Sequence, residues 1–138
     1  VKKGSNSKLI YVAGPYRAPT QELIDANIRK VGSNAAKIWK MGHYALAPHY
    51  ITRFHDCTPS DRALLDSVPM NVYLEGTMEM MRRCDAVFLG EGWEKSSGST
   101  AEKAEAQRLG IPVFTNFNEL QNWLNSSIEH KKEEAFRI

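Results

Sequence analysis

Four short apolar runs, "KLIYVAG" (8–14), "HYALAP" (43–48), "DAVFLG" (85–90) and "IPVFTN" (111–116), are separated by stretches whose apolar residues recur at helical spacing. That alternation constrains the fold more than any other feature of the chain. A run that is apolar at nearly every position is what a strand buried on both faces looks like. Strands joined through helices run parallel, since only a long crossover carries the chain back to the edge where the next parallel strand must start. Right-handed crossovers then lay the helices on both faces of one sheet. The expected class is therefore α/β, with a parallel sheet of four to five strands between helical layers.

The helices can be placed from periodicity and end signals. Ile24, Ile28, Val31, Ala35 and Ile38 repeat at helical spacing between Gln21 and Met41, with Pro19 just before and Gly42 just after. A second helix is expected from Met70 to Arg83 behind Pro69, a third from Thr100 to Leu109 ahead of Gly110, and a last one around Glu119 to Leu124. The polar stretch from His49 to Ser67 reads as a long loop with a short helix at "SDRALLD"; loops of that length are often functional. The pattern divides the chain into a disordered or tag-derived start (1–7), one domain (8–126) and a charged helical tail (127–138).

Composition then narrows the function classes. The chain has 138 residues, 42% hydrophobic, with a net charge of +2, which suits a single domain with its own core. No run is long enough to cross a membrane, and the basic start "VKKGSNSK" lacks the apolar stretch of a signal peptide, so a cytoplasmic location and no membrane partner are expected. The positive charge is unclustered except at "HKKEE", where acids offset it, so nucleic acid is not an expected partner. Cys57 and Cys84 lack metal-ligand spacing and read as reduced thiols; no metal and no cofactor are expected.

In an open parallel sheet, ligands bind beyond the carboxyl ends of the strands. The loops there are "GPYRAP", "PHYITRFHD" and "EGWEKSSGS", which bring Tyr16, Arg17, His49, Arg53, His55, Glu91 and Glu94 to one edge. Such a crevice suits a phosphorylated or sugar-bearing ligand. A dinucleotide suits it less, because the first loop has no G-x-G-x-x-G and no matched acidic residue beyond it; the P-loop pattern is also missing. The third loop runs directly into a helix through "SSGSTAEKAE", and two readings of its glutamate are open. Ser99 and Glu102 have the S-x-x-E spacing of a capping box, in which the serine caps the helix and the glutamate reaches back. Alternatively, Glu102 is a carboxylate at the crevice, kept ionised by the helix dipole and able to attack a sugar carbon. Glu105, one turn on, reads as solvated surface, and Asp85, at a strand start, as structural.

The strand "IYVAGPY", the segment "RRCDAVFLGEGWEKSSGSTAE" and "AQRLGIPVF" resemble the nucleoside 2-deoxyribosyltransferase superfamily over most of residues 8–115, most weakly over 51–68. The resemblance implies a flavodoxin-like three-layer sandwich, a homodimer or higher homo-oligomer, a nucleoside or nucleotide as small-molecule partner, and cleavage of a deoxyribose N-glycosidic bond by a catalytic glutamate. It places the nucleophile on Glu102, four residues after Gly98, and the tyrosine that positions it on Tyr11, which by itself reads as an aromatic strand residue. The branch of 2'-deoxynucleoside 5'-phosphate N-hydrolases has phosphate-holding residues that line up with Gly14, Arg17 and Ser96. Where Ser96 stands, nucleoside-specific members carry an aspartate, which tilts the expected ligand toward a monophosphate. Ser99 adds a hydroxyl at the same helix start, and His49 lies where it could contact the base or simply be buried.

One departure stands out. Much of the superfamily has an aspartate eight residues before the acid of the third strand, where it helps protonate the leaving base; here that residue is Thr77. A threonine cannot act as a general acid near neutral pH, a step worth about 10²–10⁴-fold. A non-catalytic nucleotide-binding or sensor module is therefore the alternative to an N-glycosidase or deoxyribosyltransferase. A phosphoribohydrolase, with its P-G-G-x-G-T-x-x-E stretch, is only faintly echoed by "SSGSTAEKAE".

Overall fold

A computed structural model describes residues 6–51 and 58–136. Its central sheet has four parallel strands in the order β2-β1-β3-β4: β1 (Leu9–Ala13), β2 (Tyr44–Leu46), β3 (Ala86–Leu89) and β4 (Val113–Phe114). The helices are α1 (Gln21–Lys40), α2 (Pro48–Ile51), α3 (Pro59–Asp66), α4 (Met70–Arg82), α5 (Ser97–Leu109) and α6 (Phe117–Phe136). The order 2-1-3-4 with all strands parallel is the flavodoxin-like arrangement. The four apolar runs all become strands, although β4 keeps only two of its six residues.

Alternate residues of the central strands supply two cores. Ile10, Val12, Ala86 and Phe88 face α1 and α6, where they meet Val31, Ile38, Leu120 and Leu124. Tyr11, Ala13, Val87 and Leu89 face the other way, toward Met81 of α4 and Ala106 of α5. Each fully buried aliphatic side chain here contributes about 1.5–3 kcal/mol, so both faces hold their helices firmly. The handedness of the crossovers explains the segregation: the chain steps one way from β1 to β2 and the other way to β3 and β4, so α1 lies on the face opposite α4 and α5.

End signals fix the helices locally. Thr20 caps α1, its hydroxyl accepting from the Leu23 amide at 3.2 Å, and Thr58 caps α3 through the Asp61 amide at 3.2 Å. Gly110 ends α5 with φ of 74°, a left-handed turn that other residues enter at a cost. The short helix expected at "SDRALLD" is α3. The last helix begins at Phe117, with Asn116 Oδ1 accepting from the Glu119 amide at 2.9 Å, and runs to Phe136. At the amino edge of the sheet, Asp85 Oδ2 accepts from the Leu9 amide at 2.8 Å while the Asp85 amide donates to the Leu9 carbonyl, also at 2.8 Å. Asp85 therefore registers β1 against β3, away from the crevice.

Candidate active site

The direction of strand addition reverses between β1 and β3, and at that point the loops leaving the two strands part and open a crevice beyond their carboxyl ends. Its floor is tight. The Gly90 amide donates to the Ala13 carbonyl at 2.9 Å, and a Cβ on Gly90 would lie 3.0 Å from Asn34 Nδ2. Gly14 is buried, and a Cβ there would meet Val31 Cγ2 at 3.2 Å, so its smallness lets β1 end close against α1.

The chain turns at Gly92, with φ of 88°, makes a short 3-10 turn over Trp93–Lys95, and enters α5. Ser96 is the cap, its Oγ accepting from the Ser99 amide at 3.1 Å. This corrects the capping-box spacing read from the sequence. Ser99 lies inside the first turn, 1% exposed, and Glu102 stands in the second turn, where it does not reach back to the cap. Glu102 instead points under the helix, toward the sheet. A Cβ on Gly98 would be 3.9 Å from Ser96 Oγ and 4.0 Å from Glu102 Oε1, so Ser96, Gly98 and Glu102 enclose one small space at the helix start.

Beneath that space lies Tyr11 of β1, 2% exposed, whose hydroxyl lies next to the Glu102 carboxyl and the Thr77 hydroxyl of α4. Glu102 Oε2 is buried with no partner, while Oε1 faces the space beside Gly98. Two further buried polar atoms among the described residues have no partner, Ser99 Oγ and His49 Nδ1. Buried polar groups are nearly always satisfied, so each exception calls for a partner, whether an ordered water or a bound group.

Burial shapes the electrostatics. It pushes the Glu102 carboxyl up to about 7, with the Tyr11 hydroxyl pulling part of the way back. Near neutral pH this carboxyl is therefore ionised only in part, because burial under the helix disfavours its charge. Tyr11 is held firmly protonated by burial and by the Glu102 charge, so it is a donor and not a base. Burial lowers His49, keeping its imidazole neutral. Burial and then the neighbouring Asp85 push the Cys84 thiol up to about 12; the thiol donates to the Met80 carbonyl.

The remaining sequence candidates are spread around this centre. Arg17 is exposed on the loop after β1, with no ion pair among the described residues. Its neighbour Tyr16 packs its ring against His49 of α2, centroids 5.0 Å apart, joining the loops after β1 and β2. Arg53 and His55 lie outside the described residues. Glu91 and Glu94 are exposed. Glu105 is not solvated surface: its side chain is 17% exposed, and Arg108 and Arg82 hold its carboxyl down to about 2. Arg82 also pairs with Glu79, so one network straps α4 to α5 on the outer side of the site. Such pairing across elements leaves no trace in helical periodicity.

Two features had no counterpart in the sequence reading. Thr77, noticed there for the acid it lacks, touches the Tyr11 hydroxyl; its spacing of four from the buried Met81 was the available signal, since it puts Thr77 on the inner face of α4. A cleft of about 600 Å³ opens on the opposite face, lined by Arg29, Lys30, Asn34, Glu91, Asn116 and Phe117 among others. It is separated by the sheet from Tyr11 and Glu102. Among the described residues no group of three or more metal-ligating side chains occurs, and no helix is long and apolar enough to cross a membrane.

A search of curated proteins returned no match. Among solved structures, the 2-deoxyribosyltransferase of the psychrotolerant bacterium Bacillus psychrosaccharolyticus aligns over 76% of this chain and 69% of its own, at 17% identity and a TM-score of 0.49. One family model, a domain of unknown function designated DUF4406, matches residues 8–115. That span runs from the residue before β1 to the residue after β4, taking in every strand of the sheet together with Tyr11, Thr77, Ser96 and Glu102, and the chain belongs to the DUF4406 family.

Proposed function

We propose that the protein breaks the N-glycosidic bond of 2'-deoxynucleoside 5'-monophosphates, with Glu102 as the nucleophile. The observation that carries this reading is the Glu102 carboxyl, which lies against the Tyr11 hydroxyl with Oε2 buried and Oε1 facing the space beside Gly98 and Ser96. A carboxylate placed in this way is held on one side and open on the other. Attack on C1' passes through an oxocarbenium-like transition state and gives a glycosyl ester, as in retaining glycosidases. Deoxyribose lacks the electron-withdrawing 2'-hydroxyl, which makes that cation easier to form. Water then resolves the ester in a hydrolase, or a second base does so in a deoxyribosyltransferase. Arg17, Ser96 and the first turn of α5 are the groups that would hold the phosphate, while His49 would meet the base.

The second reading is a nucleotide-binding module without turnover. Thr77 favours it, because its hydroxyl donates to the Leu74 carbonyl at 3.1 Å and has no proton to offer a leaving base. Incubating the protein with a panel of deoxynucleosides and their monophosphates, and following free base by chromatography, separates the two. Release from monophosphates is the expected result; tight binding with no release from any member would establish the binding module.

The same reading includes assembly. Leu64 of α3 and Met70, Val72 and Leu74 of α4, the helix that also carries Thr77, are large exposed apolar side chains. Met70 and Leu74 lie one turn apart on the same side of α4, and exposed apolar side chains of this kind favour covering by a second copy. At least a dimer is expected from light scattering at micromolar concentration. A strict monomer that still releases base would remove the second copy from the site.

A further inference from the structure

The cleft of about 600 Å³ on the α1 face of the sheet has the volume of a small-ligand site and lies on the other side of the sheet from Tyr11 and Glu102. One wall is a stripe of α1. Arg29, Lys30, Ser33 and Asn34 fall three and four residues apart, so they share a helix face, and all four line the cleft. The other wall comes from the carboxyl edge of the sheet, with Glu91 after β3 and Thr115 and Asn116 after β4. Arg29 and Lys30 are exposed side by side and form no ion pair among the described residues, so their charge is open to a ligand. Asn34 is held in place: its Nδ2 lies where a Cβ on Gly90 would be only 3.0 Å away, so the amide packs against the end of β3.

The chemistry of the lining selects a ligand class. A guanidinium beside an ammonium suits a phosphate, which takes two parallel bonds from the first and a point charge from the second. The hydroxyls of Ser33 and Thr115 and the amide of Asn34 both donate and accept, as sugar hydroxyls require. Asn116 Oδ1 already accepts from the Glu119 amide at 2.9 Å, which leaves its Nδ2 to donate. Glu91 only accepts, and it enters from a different element than the two cations, so it favours hydroxyl donors and turns an anionic group toward α1. Both aromatic rings of the lining are engaged elsewhere: Phe88 and Phe117 stack with centroids 4.3 Å apart, and Lys37 Nζ lies over the Phe117 ring at 4.9 Å. A flat base therefore gains little here, and a small, hydroxyl-rich molecule with one strong anion gains most. We infer that this cleft binds a sugar phosphate, with its phosphate on Arg29 and Lys30 and its hydroxyls toward Asn34, Glu91 and Asn116. The site shares no residue with Tyr11, Arg17, Ser96 and Glu102, so it stands or falls apart from the N-glycosidase reading.

The test follows backbone amide signals by NMR while D-ribose 5-phosphate, D-ribose or inorganic phosphate is titrated into the wild type and into an Arg29→Ala/Lys30→Ala double variant. Both side chains are exposed, so the variant should keep the fold, and its amide spectrum away from α1 checks that. In the wild type, ribose 5-phosphate should give saturable shifts at residues 26–34 and 115–117, with tighter binding than either ribose or phosphate alone. In the double variant its affinity should fall by about tenfold or more, the scale of lost hydrogen bonds to a charged group. Shifts confined to residues 14–17 and 96–99 would overturn the inference, because the ligand would then sit in the crevice. So would no saturable shift, or an unchanged affinity in the double variant. Ribose binding as tightly as ribose 5-phosphate would remove the phosphate from the recognition, and phosphate binding as tightly would remove the sugar; either result overturns the inference. Release of base is measured apart from these titrations, and none of their outcomes decides it.

Discussion

Glu102→Gln is expected to lose base release by roughly 10³-fold or more, the scale seen when a nucleophile is removed, and to gain stability at the same time. Both effects come from one geometry. The amide keeps the shape of the carboxyl and can still accept from Tyr11, so packing survives, but it cannot form a glycosyl ester. In the unfolded chain the Glu102 carboxyl titrates near 4.5, and in the fold near 7, because burial disfavours its charge. Its contribution to stability is therefore complete below about pH 4.5, is lost as the pH rises toward 7, and stays lost above. A shift of that size corresponds to a cost of up to about 3 kcal/mol at pH 8. The glutamine carries no such cost, so wild type and variant should be level near pH 4.5 and diverge in favour of the variant by pH 8. Urea titrations at the two pH values check this. Equal stability at pH 8 would mean that Glu102 is ionised at no cost, and unchanged turnover would remove it from the chemistry.

The second large effect concerns Arg17. Its guanidinium stands exposed on the loop after β1, on the same edge as the Ser96 cap and the first turn of α5, and it can form two charge-assisted bonds to a phosphate. Arg17→Ala is expected to weaken binding of 2'-deoxynucleoside monophosphates by about 1.5–3 kcal/mol, roughly ten- to 150-fold in Kd. Binding of the matching nucleosides should barely change, since they offer the guanidinium nothing to hold. Calorimetric titration of both ligands into both proteins yields the four affinities. Equal losses for the two ligands, or a wild type that prefers the bare nucleoside, would contradict phosphate recognition by this residue.

The central strands were legible because they are buried on both faces, so every residue of "IYVA" and "AVFL" had to be apolar. The strand order follows from the connections, and the edge at which ligands bind follows from the order. The cap of α5 was harder. Serines at 96, 97 and 99 all suit a cap, and the choice is made by the 3-10 turn at Trp93–Lys95, whose three residues leave no periodic signature. Spacing singled out Glu102, but its environment comes from Tyr11, ninety-one residues earlier, and only the folded chain reveals that the two side chains meet. Glu105 was misjudged for the same reason: Arg82 arrives from another helix. The cleft facing α1 and α6 depends on how those helices diverge from the sheet, and residue types do not encode that angle.

Tyr11 is fixed by the middle strand of the sheet and Glu102 by the second turn of a helix whose inner face is core, so neither belongs to a loop. The segments that on the proposed reading meet the remainder of a ligand, residues 14–20 and 91–96, lie outside the strands and long helices and are anchored to the core mainly at Gly14 and Trp93. On the proposed reading, most of the recognition surface can therefore change without moving Tyr11 or Glu102. Descendants of this scaffold could rewrite which molecule they accept while inheriting the same tyrosine and carboxyl, and an engineer grafting a new loop between Gly90 and Ser96 would begin with the carboxyl already in place.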